Sequence, residues 1–247
     1  MSHSRDRQGW RSRLPGRSPE EGFRWQGREV SRLEGFADAV FAFAITLLVV
    51  SLEVPRGFDG FMEVIRGVPA FIASFLTLVL FWNAHYHYFR RYGLEDAYTR
   101  WMTLMILLMV LFAVYPLKFL FGLLLPFGSV NAPHIETWAQ LKRLYVIYGL
   151  GLGGLYSLYM ALYFHALRLR RELGLSEIEV ILTEAPLWNF AINVLICLIS
   201  VTIAVFEWST AWPGIIYSVL VPLFLTLNGW WHRRRVRAVR ARQEQRY

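Results

Sequence analysis

Apolar residues gather into six runs along the chain: Phe36 to Val54, Val68 to Tyr88, Trp101 to Leu125, Leu141 to Leu167, Leu187 to Phe206, and Trp212 to Trp231. A helix needs about 20 mainly apolar residues to cross a hydrocarbon core about 30 Å thick, and each run is of that length. Membrane strands need only about 10 residues of strict alternation, whereas these runs are unbroken and rich in Leu, Phe and Ala. The pattern predicts an all-α, polytopic membrane protein with six transmembrane helices.

Charge orients this layout. Of the 26 Lys and Arg residues, eight lie in the stretch ending at Arg32, three around "RRYGLEDAYTR", three in the loop opening "RLRRELGLS", and seven after the last run. All of these segments fall on one side of a six-span arrangement, and the other side carries only Arg56, Arg66, Lys142 and Arg143. Basic residues concentrate on the cytoplasmic side, so both termini are expected in the cytoplasm.

Composition agrees, with 55% hydrophobic and 18% charged residues. A net charge of +8 could suggest nucleic acid, but that function needs a basic face on a folded soluble module, and here the charge sits in tails and loops. No nucleic-acid partner is expected. The first 22 residues are rich in Arg, Ser and Pro and lack an apolar core, so they read as a disordered tail and not as a signal peptide. The single cysteine, Cys197, excludes an intrachain disulfide.

Some features of the runs call for packing. Gly149, Gly153, Ser157 and Ala161 recur every four residues and give the fourth helix a face without bulk, against which another helix should press. Pro222 should kink the sixth. Lys118 lies 17 positions beyond Trp101, about 25 Å along the helix, so it should reach the outer interface by snorkelling.

Chemistry is sparse. No Ser-His-Asp or Cys-His order, phosphate loop or paired intramembrane carboxylate is present, and the loops are too short for a catalytic domain, so an enzyme is not expected. His85 and His87 are two residues apart, point to different helix faces and do not form a chelating pair, so neither metal nor cofactor is expected. Asp38 is the anomaly. A carboxylate at the start of a hydrocarbon-spanning helix is costly unless paired, and His85 lies at matching depth near the inner end of the second helix, with Arg32 six residues before Asp38. Asp38, His85 and Arg32 are therefore expected to form a network. Along the first helix Ala39, Phe43, Thr46 and Val50 share one face, and Asp38 points roughly 140° away from Phe43.

The stretch "RLEGFADAVFAFAITLLVV" resembles the Arg-x-x-x-Phe-Ser-Asp signature and following helix of the transmembrane protein 175 family of potassium channels, in its single-repeat prokaryotic form. "SFLTLVLFWNAHYHYFRRY" resembles that family's second helix, with Trp82 and His85 in the expected places. The resemblance implies a potassium-permeable homotetramer in the prokaryotic plasma membrane, its pore lined by four first helices. It implies a hydrophobic constriction at Phe43, a contribution to selectivity from Thr46, and Val50 continuing the line. Arg32, Asp38, Trp82 and His85 are implied to form a structural or gating network. Two positions depart from the pattern: Ala37 replaces the motif Ser, and Phe43 stands where Ile or Leu is usual.

The expected organisation is a disordered basic cytoplasmic tail over residues 1–30, a six-helix transmembrane channel domain over 31–232, and a second basic cytoplasmic tail over 233–247. The sequence alone leaves two other readings open, a proton-coupled secondary transporter in which Asp38 and His85 titrate, and a non-conducting membrane scaffold.

Overall fold

The computed structural model of the protein describes residues 23–27, 29–52, 54–125, 127, 133–206, 227–239 and 241. Among them are five helices long and apolar enough to cross a membrane: α1 (Arg32–Val50), α2 (Gly57–Tyr92), α3 (Ala97–Leu124), α4 (Trp138–Arg168) and α5 (Glu177–Val205). A sixth helix, α6, covers residues 227–239, and the described residues contain no strand. Most of the expected sixth span, including Pro222, lies outside the described residues.

The helices begin before the apolar runs do, because their caps are polar. Ser31 accepts from the Glu34 N–H at the start of α1, and Asp96 accepts from the Thr99 N–H at the start of α3. Thr137 with Gln140, and Ser176 with Glu179, form reciprocal capping boxes on α4 and α5. Thus α1 starts at Arg32 instead of Phe36 and ends at Val50 instead of Val54. The greatest difference is in α2, which starts at Gly57 instead of Val68. Its 36 residues span about 54 Å, well beyond the hydrocarbon thickness, so a full apolar run is not needed throughout. It stops at Gly93, whose φ of 58° is left-handed and suits glycine.

The small-residue face of α4 meets α5, the most extensively packed helix pair. A Cβ on Gly153 would come within 3.1 Å of the Cys197 Cβ. On the neighbouring face of α4, Gly154 leaves room for Met109 of α3. At the other side of the core, tyrosines of α4 carry their hydroxyls into the bundle: Tyr159 donates to the Phe81 carbonyl at 2.7 Å and Tyr163 to the Ala84 carbonyl at 3.0 Å. Tyr92 donates to the Thr183 hydroxyl at 2.8 Å. These bonds join α2 to α4 and α5 while Tyr88, Tyr92, Tyr159 and Tyr163 remain buried.

Gly153→Val should lower the stability of the detergent-solubilised protein by about 1–3 kcal/mol, the usual cost of overpacking. Gly151, which has nothing within 4 Å of an added Cβ, serves as the comparison. Thermal melting should show a large drop for Gly153→Val and none for Gly151→Ala; equal drops would contradict the close contact.

Candidate functional site

Helix α1 has two faces. Glu34, Ala37, Phe41, Ala44 and Leu48 are buried against the bundle, at the three- and four-residue spacing of one stripe. The opposite stripe faces away from the other described helices: Phe43 is 55% and Val50 70% exposed, and Ala39, Ala42 and Thr46 are exposed with them. The Thr46 hydroxyl donates to the Ala42 carbonyl at 2.9 Å, so its own oxygen lone pairs remain available outward. The structure therefore places Phe43, Thr46 and Val50 together on one open face, and Asp38 off it.

Asp38 is half-buried, and its Oδ1 accepts from the indole Nε1–H of Trp82 at 2.8 Å. The network implied by the resemblance holds Trp82 as well as Arg32 and His85, and the reading of the residues themselves expected Asp38 to contact His85 and Arg32. Neither of these last two contacts forms. His85 is fully buried between the rings of Phe41 and Phe89, with centroids 5.9 and 4.7 Å away, and neither of its ring nitrogens finds a hydrogen-bond partner among the described residues. Arg32 is exposed. The reason is rotation: Trp82 and His85, three residues apart on α2, differ by about 60° in azimuth, and with Trp82 turned to Asp38 the His85 ring falls between Phe41 and Phe89.

A second pair lies one turn nearer the end of the bundle. Arg90 Nε sits 3.3 Å from Glu34 Oε1, an ion pair between side chains that are 17% and 4% exposed. Glu34 and Asp38 are four apart on α1 and their partners Arg90 and Trp82 are eight apart on α2, so two antiparallel stripes meet at two points with Tyr86 between them on α2. Tyr86 fills the middle rung, stacked on Trp82 at 5.5 Å with the Arg90 guanidinium 5.5 Å from its ring centre. Sequence reading missed Glu34 and Arg90, although Glu34 stands one helical turn before Asp38 and Arg90 on the same α2 stripe as Trp82.

A strap completes this end. In residues 23–27, the N–H of Gly27 donates to the Arg90 carbonyl at 3.2 Å, and Arg90 donates back to the Gly27 carbonyl at 3.3 Å. The Arg24 N–H donates to Glu179 Oε1 at 2.8 Å, and Gln26 donates to the Leu173 carbonyl at 2.8 Å. Phe23 is buried against Tyr92. The strap ties the start of α1 to the end of α2 and the start of α5, within a stretch read from sequence as free tail. Gly27 is required there, because a Cβ would lie 2.5 Å from the Phe89 carbonyl oxygen.

At the far end of α1, which has no basic residue of its own in the last turn, Lys118 Nζ donates to the Ser51 carbonyl at 2.5 Å. The ammonium thus meets the negative end of the α1 dipole. Among the described residues no group of three or more His, Cys, Asp or Glu side chains is placed to hold a metal.

A relative from Marivirga tractuosa described as a potassium channel is 32% identical over 223 residues, spanning 83% of this chain and 89% of its own. The chain belongs to the TMEM175 potassium channel family. The family model described as endosomal/lysosomal potassium channel TMEM175 matches residues 32–114, which hold α1, α2 and most of α3. The crystal structure of a variant of the potassium channel MtTMEM175, in complex with a nanobody–MBP fusion, superposes with a TM-score of 0.76 at 28% identity, covering 88% of this chain and 99% of that one. A TMEM175 homologue from Chamaesiphon minutus shares the fold at a TM-score of 0.53 and 21% identity, over 80% of this chain and 96% of its own. The family is one of channels and not enzymes, and the apolar helices make this TMEM175 member a multi-pass membrane protein.

Trp82→Phe keeps an aromatic ring but removes the donor to Asp38, which should cost about 1–3 kcal/mol for a carboxylate left without its partner. His85→Phe, in a site lined by Phe41 and Phe89, should cost less than about 1.5 kcal/mol. Thermal melting of the two variants ranks them; a larger loss for His85→Phe would return Asp38 to the histidine.

Proposed function

We propose that the protein is a potassium-permeable channel whose pore is lined by α1 from several copies of the chain, with Phe43 at the narrowest point. The observation that carries this reading is the open stripe of Ala39, Phe43, Thr46 and Val50, which no described helix of the same chain covers. Such a stripe lines an aqueous axis once copies of the chain surround it, and the family resemblance implies four. A second apolar stripe, Phe61, Ile65, Val68, Ile72, Leu76 and Leu80 along α2, is also exposed and offers a seam to a neighbouring copy or to lipid. The potassium-channel descriptions of the Marivirga relative and of MtTMEM175 support the choice of ion. The distribution of basic residues supports cytoplasmic termini, in the plasma membrane of a prokaryotic cell.

The residues divide the work. Four phenyl rings at Phe43 would narrow the axis and resist ions by dewetting, while their faces attract a cation that enters. Thr46, one turn further, turns hydroxyl oxygen toward the same axis. Asp38 stays outside the pore and acts through Trp82, with Glu34 and Arg90, to fix the rotation of α1. Arg32 and His85 complete the inner end, His85 as a buried ring against Phe41 and not as a titrating partner of Asp38. That commitment of Asp38 also weighs against the carrier reading, which needs the carboxylate free to exchange protons.

Potassium flux into proteoliposomes at matched protein density tests the assignment. Phe43→Ala and Phe43→Asn should raise flux and lower discrimination against sodium. Phe41→Ala, at a position 1% exposed, should instead lower stability by about 3–5 kcal/mol. Unchanged flux and selectivity in both Phe43 variants would remove Phe43 from the pore.

A further inference from the structure

Helix α6 begins at the end of the last apolar run and carries its own two-faced pattern. Asn228, His232, Arg235 and Val239, spaced four, three and four apart, form one face. That face is docked on the first half of α5. Asn228 donates to the Ala185 carbonyl at 2.9 Å and to the Asn189 side-chain oxygen, Arg235 pairs with Glu184 at 2.5 Å, and His232 and Val239 are buried. The docking fixes what points the other way. Trp230, Arg233, Arg234 and Arg237 lie on the opposite face and are exposed, with Trp231 exposed at its flank.

This outward face has no acidic residue between 227 and 241, and the described residues supply no carboxylate partner to Arg233, Arg234 or Arg237. The Arg234 guanidinium lies 3.7 Å from the centre of the Trp230 ring, which presents the pair as one unit, cationic and aromatic. Trp188, on the stretch of α5 where α6 docks, is 56% exposed and adds a third indole at that level. Exposed indoles at the end of an apolar run belong at the headgroup level of a bilayer, and unpaired guanidinium groups beside them match phosphate in charge and in fork geometry.

We propose that α6 is a binding surface for anionic phospholipid headgroups, with Arg233, Arg234 and Arg237 as the phosphate-contacting groups and Trp230 and Trp231 as the interfacial anchors. The lipid would lie over the outward face of α6 and, through the Arg235–Glu184 and Asn228–Asn189 contacts, hold the last helix against α5. This surface is separate from the pore stripe of α1 and stands whether or not α1 lines the pore.

The test uses the full chain in detergent and phospholipids brominated on their acyl chains, which quench nearby tryptophan. Phosphatidylglycerol should quench at a concentration about a hundredfold lower than phosphatidylcholine, since each of the three arginines near an anionic surface counts about fivefold. The Arg233→Gln, Arg234→Gln, Arg237→Gln triple variant should bring the two lipids within about twofold while melting at the parent temperature. Replacing Trp230 and Trp231 by Phe should remove the phosphatidylglycerol-specific part of the quenching. Equal quenching by both lipids in the parent, which needs no variant to fold, would overturn the proposal. So would a preference that survives in the triple variant, or a phosphatidylglycerol-specific signal that survives in the Phe variant.

Discussion

A carboxylate in a hydrocarbon-spanning helix must find its partner inside the protein, and in this chain that requirement fixes the rotation of α1. Asp38 has one donor at 2.8 Å, the Trp82 indole, and Glu34 one cation, Arg90. Both partners lie on one stripe of α2, so α1 can turn only by abandoning two polar contacts together, at several kcal/mol in a low-dielectric setting. With that face committed to α2, Phe43, Thr46 and Val50 are turned away from the chain's own core. In the proposed channel the polar rungs would act on conduction indirectly, by deciding which face of α1 is turned away from α2.

The rest of the bundle gives those rungs a rigid frame. Gly153 lets α4 and α5 approach so closely that an added Cβ would lie 3.1 Å from the Cys197 Cβ, and the Tyr159 and Tyr163 hydroxyls tie α4 to the α2 carbonyls of Phe81 and Ala84, on either side of Trp82. The strap over residues 23–27 links the start of α1 to α2 and α5, so a movement at this end of the bundle reaches α1 through backbone hydrogen bonds. At the other end Lys118 holds the Ser51 carbonyl. Helix α1 is thus clamped at both ends, with one side uncovered by the described helices.

Much of this was legible in the sequence because membrane-spanning helices announce themselves by length and apolarity. The first five runs correspond to α1 to α5, and the spacing of Ala39, Phe43, Thr46 and Val50 put those residues on one helix face. Boundaries slipped where caps such as Ser31 and Asp96 precede the apolar residues, and where the first third of α2 is too polar to read as a span. The resemblance placed Trp82 in one network with Asp38, but the reading from depth alone chose His85, because depth along a helix can be counted from sequence whereas the azimuth of Trp82 against that of His85 depends on how α1 and α2 cross. Glu34 and Arg90 were overlooked since charges near span ends ordinarily serve as topology signals, and the strap was overlooked because an isolated Phe23 in a basic tail gives no periodicity.

The central claim is that the stripe opposite the Asp38–Trp82 contact faces the ion path. In a Cys197→Ser background, single cysteines at Thr46, Val50, Ala44 and Leu48 can be challenged with a water-soluble, positively charged thiol reagent while potassium current is recorded across a planar bilayer. The account predicts that current falls on modification of Thr46→Cys and Val50→Cys and is untouched for Ala44→Cys and Leu48→Cys, which are fully buried in the parent. Block at Ala44 and Leu48 with silence at Thr46 and Val50 would place the ion path on the opposite side of α1 and contradict it.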